Sequence, residues 1–219
     1  MSNRRLGLLL LSACGEVKQV ALPDAPADAG CQPTKIFVGG MAADAQGWSV
    51  ATEGAATLTL AGEDTVVTTT TPTGSRTGGQ LLLHRAGALP AAPPFAVEVV
   101  MQVDRVDPHN PSDAAAAILG GFTPPLGLPA ERAQMIYLDA DAIGWADDTQ
   151  RAARRIAGAL HTVVLDVDAA GVASVFFDGA EALRRAGYAT NGTLAFGDQT
   201  NDAGVDGTLR IRSVTRLCR

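Results

Sequence analysis

The stretch YLDADAIGW places two aromatic rings, Tyr137 and Trp145, beside two carboxylates, Asp139 and Asp141. Flat rings stack on the apolar faces of sugars while carboxylates fix their hydroxyls, so this combination on one hairpin points to ligand binding of the carbohydrate type. A structural reading competes with it. Asp139-Ala140-Asp141-Ala142 also spells a turn, and large rings most often fill cores, which applies to Trp48 as well as Trp145. A second oxygen-rich run contains Asp198, Asn201, Asp202 and Asp206, with Gly204 and Gly207 between and after them. Such donors suit calcium, yet the spacing is not that of an EF-hand, and Asx residues equally build loops between strands. Calcium stays an open option here, and no other cofactor is expected.

The remaining reactive side chains are scattered. His84, His109 and His161 lie far apart in the chain, with no nucleophile-elbow serine, so neither a hydrolytic triad nor a zinc site is expected. His161 opens a strand, where polar satisfaction at a sheet edge is its expected role. The cations Arg151, Arg154 and Arg155 fit a solvated edge that discourages sheet-to-sheet pairing, with an acidic glycan as the sharper alternative. The formal net charge of -6 speaks against a nucleic-acid partner, which needs clustered positive charge.

The N-terminus reads as an export signal. Arg4 and Arg5 precede the largely apolar Leu6 to Leu11 and the small residues Ser12 and Ala13, a segment too short to span a bilayer. Leu11-Ser12-Ala13-Cys14 resembles the bacterial lipoprotein lipobox, although the apolar region before it is shorter than usual. The resemblance implies a signal peptide over 1–13, lipid attachment at Cys14, and anchoring to a membrane of the bacterial cell envelope by acyl chains that contribute about 0.8 kcal/mol per buried methylene. Gly15 to Gly30 has prolines, small residues and no apolar period, so residues 14–30 read as the lipidated cysteine and a flexible tether.

Residues 31–219 then form one domain rich in Gly, Val and Thr, without a sustained helical period. The clearest element is HTVVLDVDAAGVASVFFDG: Val163, Leu165 and Val167 alternate with Thr162, Val164 and Asp166, the chain turns through Asp168 to Gly171, returns through Val172 to Phe177, and turns again at Asp178-Gly179. Phe95, Val97, Val99, Met101 and Val103 likewise alternate with Ala96, Glu98, Val100 and Gln102. Strands are also expected at Lys35 to Val38, Trp48 to Ala51, Ala56 to Leu60, Thr65 to Thr71, Gly79 to Arg85, Ala114 to Phe122, Gln134 to Asp139, Ala142 to Asp147, Ala152 to Ala157, Thr193 to Phe196 and Thr208 to Leu217. Cys31 and Cys218 stand at the two ends of this domain, and export favours a disulfide between them, which requires the first and last strands to lie side by side.

HTVVLDVDAAGVASVFFDG and the closing block LAFGDQTNDAGVDGTLRIRSVTRL resemble the concanavalin A-like lectin/glucanase jelly rolls, a group that includes laminin-G-like domains. The resemblance implies an all-β, two-sheet antiparallel jelly-roll sandwich with one concave face. Carbohydrate or envelope-polymer binding and glycan cleavage are functions it permits rather than dictates. Glucanases of this group resemble one another in a Glu-x-Asp-x-x-Glu strand, and Glu16, Glu53, Glu63, Glu98, Glu131 and Glu181 show no such spacing. A non-catalytic binding module is therefore the expectation, with a divergent hydrolase or lyase, or a structural adhesion domain, as the alternatives.

Overall fold

The computed structural model describes residues 31–107, 116–124, 134–200 and 202–219. Among the described residues, fifteen strands run β1 (Thr34–Val38), β2 (Ser49–Glu53), β3 (Ala55–Ala61), β4 (Asp64–Thr70), β5 (Gln80–Arg85), β6 (Phe95–Asp107), β7 (Ala116–Leu119), β8 (Ile136–Leu138), β9 (Ala142–Trp145), β10 (Arg151–Ala153), β11 (His161–Val167), β12 (Ala173–Phe177), β13 (Ala180–Arg185), β14 (Leu194–Asp198) and β15 (Asp206–Leu217). The helical content of the described residues is one 3-10 turn, Asp44–Gln46.

Two antiparallel sheets face each other. One has the order β13-β12-β11-β6-β15-β4-β3, with β1 also paired to β15; the other runs β10-β9-β8-β7-β14-β5-β2. The long β15 presents its first half to β4 and its second half to β1, so two short strands share one of its edges. Between the sheets, Val97, Val99, Met101, Val163 and Leu165 from the first meet Leu83, Ile118, Ile136, Ile143 and Phe196 from the second in one buried core. The strict alternation of β6 is what delivers its side, since residues two apart share a face. Phe37, Trp48 and Phe196 form an aromatic knot with ring centroids 4.8 to 5.7 Å apart, and the Trp48 indole N–H donates to the Ile36 carbonyl at 2.8 Å.

The expected hairpin is present. β11 and β12 pair from Val163 opposite Phe177 to Val167 opposite Ala173, and the Asp168 carboxylate closes the loop by accepting from the Ala170 and Val172 amides at 2.9 Å. Asp178 and Gly179 both take positive φ, 47° and 84°, the pairing that a two-residue type I′ hairpin turn demands. The turn leads into β13, which no alternation in AEALRR announces. Two further expectations are corrected. β10 stops at Ala153 instead of continuing to Ala157, because the Ile156 and Ala157 amides both turn back to the Ala140 carbonyl. His161 lies within the sheet, on a strand flanked by β6 and β12, and not at an edge.

Cys31 and Cys218 are joined, with Cα atoms 5.8 Å apart. The strands next to them pair directly, Thr34 opposite Arg216, so the staple lies beside the paired ends of β1 and β15.

Candidate functional site

β8 and β9 pair with Ile136 opposite Trp145 and Tyr137 opposite Gly144. Because neighbouring residues of a strand face opposite sides, the two aromatic residues of YLDADAIGW separate. Trp145 enters the core with 0% exposure, packs 6.1 Å from Tyr188, and carries the Arg185 guanidinium 5.0 Å above its ring. Tyr137 turns to the outer face of the seven-stranded sheet, yet it too is only 1% exposed. Its ring lies across Gly144, where any Cβ would fall 2.6 Å from the phenol carbon Cζ, so glycine is what admits the ring. Neither ring is an open stacking platform.

The carboxylates do meet. Asp139 and Asp141 flank a tight turn in which the Asp139 amide donates to the Ala142 carbonyl at 2.9 Å. Arg151 on the edge strand β10 reaches both, with one guanidinium nitrogen 3.4 Å from an oxygen of each. Asp139 is nearly buried, Arg151 is partly exposed, and the Asp141 side chain is 82% exposed. The register places Tyr137, Gly144 and Arg151 in one cross-strand row. The Tyr137 hydroxyl is closed to solvent, and burial raises its pKa, with Asp148 and Asp139 adding to the rise and Arg151 opposing it. The structure therefore assembles Tyr137, Asp139, Asp141 and Arg151 at one corner and sends Trp145 beneath it. Arg151 was readable only as one member of a charge run; its role depends on β10 folding back beside β9.

The same outer face also carries buried apolar residues. Leu82, Ala117, Leu119, Phe122 and Ala195 are buried there as a second, smaller cluster. His84 lies against it, its ring 5.2 Å from Phe122, and burial lowers its pKa.

Two carboxylates of the Asx run bond within the fold. Asp198 is fully buried and accepts from the Thr69 hydroxyl and from the Thr200 amide, the latter at 3.0 Å. Asp206 accepts from the Thr71 hydroxyl at 2.9 Å and faces Arg105 at 3.7 Å. Asn201 lies outside the described residues, as do His109 and Cys14. Among the described residues, no three His, Cys, Asp or Glu side chains gather as a metal site. His161 bonds through Nδ1 to the Asp178 carboxylate at 2.7 Å, which gives it the polar role expected of it.

No protein-family model and no curated protein matches the chain. Solved structures do. A protein named as a sialidase superposes with a TM-score of 0.55 at 16% identity over 80% of this chain, which corresponds to 17% of the sialidase's length. A structure described as the conserved carbohydrate esterase vb_24B_21 of the Shiga toxin-encoding bacteriophage phi24B gives 0.54 at 15% identity, covering 86% of this chain and 100% of that one. The exoplasmic/lumenal domain of VIP36, in a Ca2+- and mannose-bound form, gives 0.53 at 11% identity, covering 79% and 83%. No helix of the described residues is long and apolar enough to cross a membrane. The two-sheet antiparallel sandwich of the described residues has the concanavalin A-like jelly-roll fold.

Proposed function

We propose that this chain is an exported bacterial lipoprotein whose sandwich domain binds a carbohydrate or envelope polymer without cleaving it. On this reading residues 1–13 direct export, Cys14 receives the lipid, residues 14–30 give reach, and the corner of Tyr137, Asp139, Asp141 and Arg151 holds the ligand. The observation that carries it is the loose set of bonds at that corner. A guanidinium and a carboxylate that spend themselves on each other close to about 2.7–2.9 Å. Arg151 stands 3.4 Å from both partners, at a solvent-facing rim, in the same cross-strand row as the buried Tyr137. Sugar hydroxyls, which donate and accept at once, match such a set. Solved relatives of this fold include a mannose-bound domain and a carbohydrate recognition domain, which is consistent with the proposal.

A hydrolase reading has one supporting feature, since two carboxylates that reach the same nitrogen stand within about 7 Å of each other, near the spacing of a glycosidase pair. It is disfavoured because the general acid of such a pair needs a carboxyl in an apolar setting, and here a guanidinium sits between the two. The filled outer face around Leu82 and Phe122 favours a third reading, a structural adhesion domain.

A glycan array probed with the detergent-solubilised protein tests all three. Saturable retention without released product, lost in the Asp141→Ala/Arg151→Ala variant, is the expected result. Release of reducing ends would establish the hydrolase, and retention of no glycan would favour adhesion. Intact-mass measurement of membrane-extracted protein should find a chain that starts at acylated Cys14, and an unmodified full-length chain would remove the anchor.

A further inference from the structure

The hairpin β12–β13 contains an irregularity that the corner site does not use. Val175 pairs with Leu183 but Phe176 pairs with Glu181, so Ala182 is an extra residue, a bulge. On a regular strand Glu181 and Arg184, three apart, would point to opposite faces. The bulge brings them to the same face, where their charged groups stand 3.5 Å apart. Bulges of this kind re-aim side chains and concentrate beside functional sites. The result is an array of two cross-strand rows on the outer face of the eight-stranded sheet: Asp166, Ser174 and Arg184 in one, Val164, Phe176 and Glu181 in the next.

This array encloses a polar-walled cleft of about 170 Å³, with Phe176 and Val172 as its apolar surface and Asp168, Glu181, Arg184 and Arg219 around it. Arg219 is committed to Asp166, to which it donates twice. Asp168 is committed to the loop amides described above. Ser174 accepts from Arg184 at 3.1 Å. Glu181 and Arg184 are 46% and 57% exposed, and their bond is long. An acceptor and a donor therefore stand side by side at the mouth, with Phe176 in the lining.

We propose that this cleft is a second binding site, distinct from the Tyr137 corner, that takes a single neutral pyranose ring. Two vicinal hydroxyls would answer the Glu181 carboxylate and the Arg184 guanidinium, and a C–H edge of the ring would meet the small apolar surface that Phe176 and Val172 leave open. The volume lies below the range that larger ligands need, which limits the occupant to one ring. Three carboxylates against two guanidiniums disfavour uronic or sialic acids. The polar walls disfavour an acyl chain.

Amide NMR of the full chain, titrated with the methyl glycosides of glucose, galactose and mannose, tests the proposal without reference to the corner. At least one sugar should shift amides between Asp168 and Arg184 with a Kd in the millimolar range. Glu181→Gln and Arg184→Ala should each weaken that response by about tenfold or more, as loss of a charged hydrogen bond does. Asp141→Ala/Arg151→Ala should leave it unchanged, and its spectrum also reports that the fold is intact. Absence of shifts in this segment with all three sugars, or shifts that survive both cleft substitutions, would overturn it.

Discussion

Replacing Cys31 and Cys218 together by serine should lower thermal stability by an amount that the loop length sets. The bridge spans a sequence separation of 187 residues. Chain-entropy reasoning for a loop of that size assigns about 5 kcal/mol to the constraint on the unfolded chain. The folded state should change little, because β1 remains paired to β15 through Thr34, Lys35, Phe37 and Val38, and Phe37 remains locked between Trp48 and Phe196. For a domain of this size each kcal/mol moves the melting midpoint by about 2–4 °C, so the expected loss is about 10–20 °C. Differential scanning calorimetry with and without a thiol reductant makes the comparison. The wild type should fall to the level of the variant when reduced, while the variant should not respond. A shift below about 3 °C would mean that the unfolded chain is held compact by something other than the bridge, and the entropic argument would fail.

Three other perturbations follow from particular groups. Burial raises the pKa of Asp198 well above the usual carboxylate range, with Asp206 adding to the rise and the Thr69 and Thr200 bonds opposing it. A carboxyl with a raised folded pKa gives stability that is complete below its unfolded pKa and is lost as pH climbs through the folded one. Urea midpoints of the wild type should therefore contain a decline with rising pH that is absent from Asp198→Asn, and parallel pH profiles for the two would contradict the assignment. Asp178→Ala should cost about 1–3 kcal/mol, because it strains a positive-φ position and removes the acceptor of the Thr162 amide and His161, whereas Asp178→Asn, which tolerates that conformation, should cost less in chemical denaturation. Tyr137→Phe removes a buried hydroxyl that stands near the Asp148 carboxylate without closing a hydrogen bond and should raise stability by about 1 kcal/mol in chemical denaturation; a loss of stability instead would show that the hydroxyl is bonded in the fold.

The parts of the fold that were legible in the sequence are those governed by local rules. Alternation in Phe95 to Val103 and His161 to Val167 specified core-facing sides, and Asp178-Gly179 specified the turn type. β13 escaped because AEALRR has no β-branched residue and no period of two; its bulge sets Ala182 and Leu183, both buried, side by side. The candidate corner was half legible. Asp139 and Asp141 could be placed on a turn, but the separation of Tyr137 from Trp145 depends on the register of β8 against β9, and the arrival of Arg151 depends on where β10 returns. The cleft was not legible at all, since Asp166, Ser174 and Arg184 become neighbours only across three strands.

The position of the cysteine bridge has a mechanical consequence. A force drawn along the polypeptide at Cys31 passes through sulfur into Cys218 and so into β15, which is clamped between β6 on one side and β4 with β1 on the other. Peeling β1 away first, the easy route for an N-terminal edge strand, is closed. Load must instead shear many backbone hydrogen bonds at once, so a module hung from its N-terminal side in this way would keep its shape under drag that would unzip the same sandwich without the bridge.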